Sequence, residues 1–436
     1  MNCIFCCIFN QEKYINMFYL LLESIFIYGN LSDDTNILVY TSTAFMNIIK
    51  QSHLFNDEKI KFEINDKYDT VDKACKSRLD LFNLKSINNY QKILYLDTDI
   101  LIKDDINKVF NVCKKDILYV LEEGEIDSNL GYWGTTLFGD EADNYNDKTA
   151  FTAGILLFNN CEKIKDLFLK INEDIVKRPY NLPTYEQGYI IYNAFKYNVY
   201  NNRILKSLAV NNNNDFYSNY VIYHFPPDTD VMSIFLNSIK DVTINNHIQT
   251  TKKYIDNYLS VIKNFIENIF TSVYIDEFLD KRKNISNLVL NKNIKNVMQI
   301  GFNYGFSTLL MLMTNPNIHI TCFDKGDHKY TIPCYKILKQ TFGERINIII
   351  GDSTKTLQNI TDVYDLIHID VKHSTEVASC DIINSYKASR QGTILIMDNY
   401  NDTNLHCLWD ICIIKYNLKS LDISRYESLN QDMKYV

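Results

Sequence analysis

Two stretches of this chain place carboxylates directly after apolar runs of strand character. In the first, residues 92–96 lead into Asp97-Thr98-Asp99. In the second, two apolar runs end at Asp370 and at Asp398-Asn399. Open α/β sheets bind ligands at the carboxyl ends of their strands. The sequence therefore predicts two sheets, each with an acidic ligand site at its edge, and hence two enzymes on one polypeptide.

Length and charge narrow the class of protein. A chain of 436 residues exceeds what one core usually supports, so two or three domains are expected. A net charge of -8 without a basic stripe argues against nucleic acid as a partner. Eleven irregularly spaced cysteines are typical of reduced thiols, and we expect a cytoplasmic protein. The first ten residues indicate a buried strand rather than a signal peptide, and we expect no membrane span.

Hydrophobic periodicity divides the chain into three parts. Residues 1–235 alternate strand-like and helical runs in a βαβ pattern with a mixed sheet. Among these runs we expect a helix from Asp72 to Leu84, a strand from Ile155 to Phe158 and a loop from Asn211 to Asn214. Residues 236–290 have helical periodicity and are expected to link the domains and cover the second sheet. From residue 291 to 436 a new alternation begins, with strands near Val297, Ile318, Ile346, Leu366 and Ile394.

The front acidic pair suits a divalent cation, because carboxylate oxygens are hard ligands and a cation can neutralise a diphosphate leaving group. Asp-Xaa-Asp alone is a weak motif. Several further segments share a pattern with it: Asn10 and Tyr14, Ser77-Arg78-Leu79, Thr152-Ala153-Gly154, Glu186-Gln187, and Tyr223-His224-Phe225-Pro226. Together they resemble the glycogenin-like and galactosyltransferase-like enzymes of glycosyltransferase family 8, over about residues 1–235.

The resemblance implies a GT-A nucleotide-diphospho-sugar transferase domain that retains anomeric configuration and uses a nucleotide sugar as donor. The expected donor is UDP-linked. By resemblance, Mn²⁺ is held by Asp97, Asp99 and His224. The donor is contacted by these two aspartates and by Asn10, Tyr14, Thr98 and Arg78, of which Arg78 binds the phosphates. Gln187 lies beside the anomeric carbon, and Glu186 next to it is a second catalytic residue. The implied acceptor is a glycan or glycoconjugate.

The front domain also departs from that family. Glu186 and Thr152 stand where Asp and Asn are usual, and Pro227 and Asp230 occupy the stretch that usually carries a glycine and a diphosphate-binding lysine. Structural readings compete as well, since His224 can be a half-buried core histidine and Glu186 a helix N-terminal charge. These departures motivate a rival hypothesis, in which the front domain is degenerate and only binds the acceptor.

The back part begins with a strand that runs into a glycine turn at Gly301 and Gly305 and then a helix at Ser307. Glycines let a cofactor approach the backbone closely. Asp324 ends the next strand, where a carboxylate can bind ribose hydroxyls, and Asp352-Ser353 follows the third. This series resembles class I S-adenosylmethionine methyltransferases, with a Rossmann-like fold over about residues 291–436. A dinucleotide fold is the alternative, but its third glycine is absent.

The two last strands carry the chemistry. Asp370 and Asp398 lie 28 residues apart (398 − 370), followed by Asn399, with His373 three residues beyond Asp370. This resembles metal-dependent O-methyltransferases, in which such residues hold Mg²⁺ or a similar cation, and His373 would be the base. Lys372 is an alternative base. Asp398-Asn399 can instead be a plain turn, and His368 is expected to be structural.

The combined prediction is a bifunctional carbohydrate-modifying enzyme, which transfers a sugar and methylates a hydroxyl of a glycan. One rival keeps methyl transfer alone. A second, of another class, is a non-catalytic sugar-binding protein; against it, clustered carboxylates without a cation repel one another.

Overall fold

The computed structural model describes ten segments of the chain, and for residues 256–262 and 434–435 only their backbone. The segments are residues 1–126, 133–145, 148–179, 185–211, 218–225, 228–262, 279–370, 374–398, 403–421 and 434–435. The chain divides into two compact units, Met1–Ser238 and Ile239–Val436, called the front unit and the back unit below. Both are α/β, as predicted.

Ten strands form the two sheets of the front unit. They are β1 (Asn2–Ile8), β2 (Thr35–Thr41), β3 (Ile60–Ile64), β4 (Lys92–Leu96), β5 (Ile100–Ile102), β6 (Leu118–Glu125), β7 (Thr149–Asn159), β8 (Tyr200–Asn201), β9 (Ala209–Asn211) and β10 (Ile222–His224). Seven of them build a mixed sheet in the order β3-β2-β1-β4-β7-β6-β8, in which β7 is antiparallel to both β4 and β6. The other three form a small sheet in the order β5-β10-β9.

Apolar side chains cover both faces of the large sheet, because its inner strands are apolar at nearly every position. On one face Ile4, Cys6 and Leu94 pack with the buried stripe of the first helix, and on the other Phe5 and Tyr95 join a second core. The front helices are α1 (Lys13–Tyr28), α2 (Thr43–Lys50), α3 (Val71–Lys76), α4 (Asn107–Val112), α5 (Thr135–Phe138), α6 (Glu162–Lys177) and α7 (Gln187–Lys196). Because both faces of the sheet are buried, a ligand can reach it only at the ends of its strands.

The back unit contains one six-stranded sheet. Its strands are β11 (Asn296–Ile300), β12 (His319–Asp324), β13 (Ile346–Ile350), β14 (Tyr364–Ile369), β15 (Ser389–Met397) and β16 (Lys434–Tyr435). They lie in the order β13-β12-β11-β14-β15-β16, parallel except for β16. The order reverses between β11 and β14, which opens a crevice at the carboxyl ends of these strands. The fold is the predicted Rossmann-like one.

Seven α-helices lie wholly or partly in the described residues of the back unit. They are α8 (Thr229–Ile262), which begins in the front unit, α9 (Leu279–Val289), α10 (Phe306–Thr314), α11 (Thr331–Phe342), α12 (Ser353–Thr356), α13 (Thr375–Lys387) and α14 (Thr403–Tyr416). Within the back unit, Tyr254 of α8 packs against Phe342, with ring centroids 6.3 Å apart. The helical pattern predicted for residues 236–290 is confirmed where the structure describes it.

Two sequence-based expectations need correction. The helix expected from Asp72 to Leu84 is α-helical only in α3 and continues as a 3-10 helix over Ser77–Asn83. The strand expected only at residues 155–158 is longer, because β7 runs from Thr149 to Asn159 and includes Gly154.

All eleven cysteines are free thiols. Among the described residues, no helix has both the length and the apolar character that crossing a bilayer requires.

Two candidate active sites

The front site lies where the two sheets of the front unit meet. Asp97 directly follows β4, Asp99 directly precedes β5, and His224 ends β10. Backbone hydrogen bonds fix both aspartates: Asp97 N donates to Gly154 O at 2.9 Å, and Phe225 N donates to Asp99 O at 2.9 Å. As a result, one possible ligand atom from each of the three side chains lies within 4.8 Å of the others.

Gly154 keeps the space between these side chains open. A Cβ at this position would lie 2.9 Å from Asp97 Oδ2 and 2.9 Å from His224 Nε2, closer than real Cβ atoms approach. His224 Nδ1 lies 2.7 Å from Asn211 Oδ1, an acceptor, so Nδ1 carries the proton and Nε2 faces the aspartates. Asp99 Oδ1 is 3.5 Å from Nε2, and no described residue hydrogen-bonds to it. The donor set fits a divalent cation.

The charge state of His224 depends on the same neighbours. Burial lowers its pKa, but Asp99 and Asp97 raise it by more, so the net pKa is raised. Without a cation the imidazole is therefore protonated more readily than a free histidine, and a cation would compete with that proton.

Arg78, whose side chain is mostly buried, contacts several groups of the front site. Its Nε lies 2.8 Å from Glu186 Oε1, its Nη2 lies 3.2 Å from Asp97 Oδ1, and its Nη1 donates to Ala153 O at 2.6 Å. The guanidinium carbon lies 4.6 Å from the ring centroid of Tyr95, whose hydroxyl donates to Asp97. The guanidinium thus holds two site carboxylates in place, in addition to the predicted role on donor phosphates.

Glu186 is buried beside Arg78. Burial raises the pKa of its carboxyl to about 7, although Arg78 opposes the shift. Its Oε2 has no hydrogen-bond partner among the described residues. The neighbouring Gln187 accepts from Ala153 N through Oε1 at 2.8 Å. Glu186 is therefore held by the Arg78 side chain, and Gln187 by the backbone of β7 next to Gly154.

A cavity of about 190 Å³ opens onto this cluster, lined by Tyr14, Arg78, Asp97, Thr98 and Asp99 among others. Five predicted donor-binding residues thus surround one space. The sixth, Asn10, follows β1 with a positive φ of 70°, and its amide donates to Asp69 O at 2.5 Å. Asn10 is not among the described residues that line the cavity.

The Gly154→Ala substitution should weaken cation binding at the front site. The added methyl forces Asp97 and His224 apart, and we expect Mn²⁺ affinity to fall at least about tenfold, roughly 1.4 kcal/mol. Isothermal titration of Mn²⁺ into the purified chain measures this. Gly139→Ala is the control for strain away from the site, because its φ of 52° disfavours alanine while a Cβ there meets nothing within 4 Å. Equal losses of Mn²⁺ affinity in both variants would contradict the assigned role of Gly154.

The back unit carries a larger cavity at the carboxyl ends of β11, β12, β13 and β14. Its volume is about 740 Å³, within the range of cofactor pockets. Gly301, with φ 90°, and Asp324 line it. Asp324 Oδ2 accepts from Phe302 N and Asn303 N, both at 2.9 Å. The carboxylate predicted to bind ribose therefore also holds the glycine turn in place.

The remaining predicted cofactor residues divide into two groups. Asp352 and Ser353 line the cavity, and Asp352 caps α12 by accepting from Thr354 N at 3.0 Å. Gly305 is the N-cap of α10 with φ 79°, a conformation that favours glycine. Ser307 lies in the first turn of α10 and is not among the described residues that line the cavity.

The acidic pair lies at the edge of this cavity. Asp370 lines the cavity, and Asp398 is buried directly after β15. His368, Asp370 and Asp398 each bring one possible ligand atom within 4.8 Å of the others. Burial, followed by the charge of Asp370, raises the pKa of Asp398 to about 6. The predicted base His373, its alternative Lys372 and the predicted ligand Asn399 lie outside the described residues.

A residue that the sequence did not single out completes this site. Lys281 of α9 forms a salt bridge with Asp398, and its Nζ lies 3.8 Å from Asp370 Oδ1. The position that the resemblance gives to Mg²⁺ is therefore already in contact with an ammonium group, and the described residues do not fit a divalent cation there as they stand.

Acid should destabilise the back unit through His368. Burial, and secondly the charge of Lys281, lower its pKa from 6.5 to about 4. Between these two pH values the unfolded chain binds a proton at this residue and the folded chain does not. The free energy of unfolding should fall over this interval by up to about 3 kcal/mol. The free energy of unfolding in urea, measured at several pH values, should depend less on pH in His368→Leu than in the original chain. The exposed-site control His319→Leu should keep the original pH dependence. An unchanged pH dependence in His368→Leu would contradict this cause.

One family model matches part of the back unit. Residues 298–400 match the family model Methyltransf_24, a methyltransferase domain. The match includes Gly301, Asp324 and the Asp370/Asp398 pair. Such a domain implies S-adenosylmethionine as cofactor. No curated protein sequence matches the chain.

Solved structures that align with parts of this chain include the following three. WbbM, described as a bifunctional glycosyltransferase, is 13% identical and has a TM-score of 0.40. The alignment covers 54% of this chain and 49% of WbbM. Mouse xyloside xylosyltransferase 1 is 11% identical over 51% and 97%, with a TM-score of 0.39. CalS11, a TDP-rhamnose 3'-O-methyltransferase, is 14% identical over 44% and 93%, with a TM-score of 0.31. Substrates do not follow from likeness at this level.

Proposed function

We propose that the chain is a bifunctional carbohydrate-modifying enzyme. The front unit transfers a sugar from a nucleotide donor, UDP-linked, to a glycan or glycoconjugate acceptor with retention of configuration. The back unit transfers the methyl group of S-adenosylmethionine to a hydroxyl of that glycan. The observation that carries the front assignment is the convergence of Asp97, Asp99 and His224 on a space that Gly154 keeps open. The free thiols support a cytoplasmic location.

In the front unit, the bond between the anomeric carbon and the diphosphate oxygen breaks and a bond to the acceptor oxygen forms. The proton of the acceptor hydroxyl passes to the departing diphosphate. Mn²⁺ held by Asp97, Asp99 and His224 would neutralise the charge that develops on the diphosphate. Arg78 keeps Asp97 and Glu186 in place. Gln187, held at Ala153, is proposed to lie beside the anomeric carbon, and Tyr14 and Thr98 bound the donor cavity.

In the back unit, the acceptor oxygen attacks the methyl carbon, the sulfur–carbon bond breaks, and its electron pair stays on sulfur. Gly301, Asp324, Asp352 and Ser353 surround a cavity of suitable size for the cofactor. Asp370 lines the same cavity, so the acidic pair lies beside the proposed cofactor position. His373 is the proposed base that takes the hydroxyl proton.

The rival with methyl transfer alone predicts a different result in one assay. Nucleotide release is measured with the full-length chain, Mn²⁺ and a panel of UDP-, GDP- and dTDP-sugars, with and without EDTA, while S-adenosylmethionine binding is measured in parallel. Release from one donor that EDTA abolishes is expected. Silence across the panel with intact cofactor binding would favour the rival, and absence of cofactor binding would overturn the assignment of the back unit.

A further inference from the structure

The back site contains a cation supplied by the chain itself. Lys281 has its ammonium in salt-bridge contact with Asp398 and 3.8 Å from Asp370 Oδ1. We propose that this ammonium occupies the cation position between the two carboxylates and excludes a divalent metal from it. The inference rests on the proposed methyl transfer by the back unit and changes how that reaction is supported, since methyl transfer then proceeds without a bound metal.

Charge balance between the carboxylates supports this assignment. The Asp398 side chain is 5% exposed and that of Asp370 is 29% exposed, so their mutual repulsion is weakly screened. A nearby positive charge is needed to keep both ionised. An ammonium in contact with the pair supplies that charge, and a divalent ion in the same space would meet strong repulsion from it. One cation or the other occupies the position, but not both.

The attachment of Lys281 to the chain favours the ammonium. Lys281 is the third residue of α9, and its side chain is 19% exposed. The neighbouring residues Arg282, Asn284 and Ile285 are buried, so the helix that carries Lys281 is anchored. A tethered group competes at a high effective concentration against an ion that must come from solution. A metal would also leave the displaced ammonium without these carboxylates in a partly buried position.

The third group of the site does not favour Mg²⁺ either. His368 is fully buried, and neither of its ring nitrogens has a hydrogen-bond partner among the described residues. Mg²⁺ prefers six oxygen ligands, several of which are usually waters, whereas an imidazole suits softer ions. A neutral imidazole is the form expected beside an ammonium group that is already present.

An ammonium can perform the electrostatic part of methyl transfer. As the hydroxyl proton passes to the base and the new carbon–oxygen bond forms, negative charge develops on the acceptor oxygen. A positive group at the Asp370 edge of the cavity stabilises that charge, and the carboxylates keep the ammonium protonated and in position. No redox step or further reactant is required.

The test measures Mn²⁺ binding to the full-length chain with its front site inactivated by the double substitution D97N/D99N. Lys281→Ala is added to this background, with Lys281→Gln as a variant closer in shape and Lys281→Arg as the variant that keeps the charge. Electron paramagnetic resonance counts free and bound Mn²⁺, and calorimetry of S-adenosylmethionine binding checks that each variant is folded.

We expect Mn²⁺ to bind at least tenfold more tightly to the Ala and Gln variants than to the background, and the Arg variant to match the background. Equal Mn²⁺ affinity with and without Lys281, whether weak or tight, overturns the proposal. Loss of S-adenosylmethionine binding by the background chain would instead refute the proposed methyltransferase function, so the two failures are distinguishable.

Discussion

Replacing Asp97 with asparagine should reduce metal-dependent nucleotide release by about a hundred- to a thousand-fold. The substitution removes a negative ligand from the cluster with Asp99 and His224 and weakens the salt bridge to Arg78. Losses of this size are typical when a group that stabilises developing charge is removed. The measurement is the initial rate of nucleotide release at saturating Mn²⁺, with the donor that the panel identifies.

The exposed Asp57 offers a matched control, because Asp57→Asn makes the same chemical change on the surface of the front unit. That variant should keep the full rate. Methyl transfer by Asp97→Asn should also be unaffected, since the back unit has its own site. Full metal-dependent turnover by Asp97→Asn would refute the front assignment.

The second large effect is expected on stability. Arg78→Met should lower the free energy of unfolding by about 3–5 kcal/mol, because it leaves Glu186 buried without its cationic partner. The transition of the front unit in urea measures this loss. The substitution keeps most of the apolar stem, so the loss reports mainly on charge.

A double-mutant cycle separates the pair from its surroundings. Adding Glu186→Leu to Arg78→Met removes the unpaired carboxylate, so the double variant should be more stable than the sum of the single losses predicts. Arg203→Met is the control for an exposed arginine and should change stability by no more than about 0.5 kcal/mol. Strictly additive losses at Arg78 and Glu186 would show that the ion pair is not coupled as described.

Local sequence patterns predicted most of the strands, because buried parallel strands are continuous apolar runs. They failed where the pattern is ambiguous. The segment after Thr70 has helical periodicity, but hydrogen bonding changes from α to 3-10 at Ser77, and side-chain spacing does not distinguish the two. The first half of β7 contains small and polar residues around Gly154, so only its apolar end was recognised as strand.

For the sites, the motifs identified the reactive groups but not the residues that support them. Asp97, Asp99 and His224 were expected together, and the structure brings them together. Asn211, which orients His224, was assigned only to a loop. Lys281 lies 117 residues from Asp398 in a helical segment without a motif. Such contacts arise from tertiary packing, which no local pattern encodes.

The ligands of the front cluster belong to two different sheets. Asp97 ends a strand of the seven-stranded sheet, whereas His224 ends a strand of the three-stranded sheet. An ion bound by both acts as a removable cross-link between them. Occupancy and folding are then thermodynamically linked, with about 2.7 kcal/mol gained at a hundred times the dissociation constant. By the same linkage, any change that loosens the small sheet also lowers the affinity of the chain for that ion.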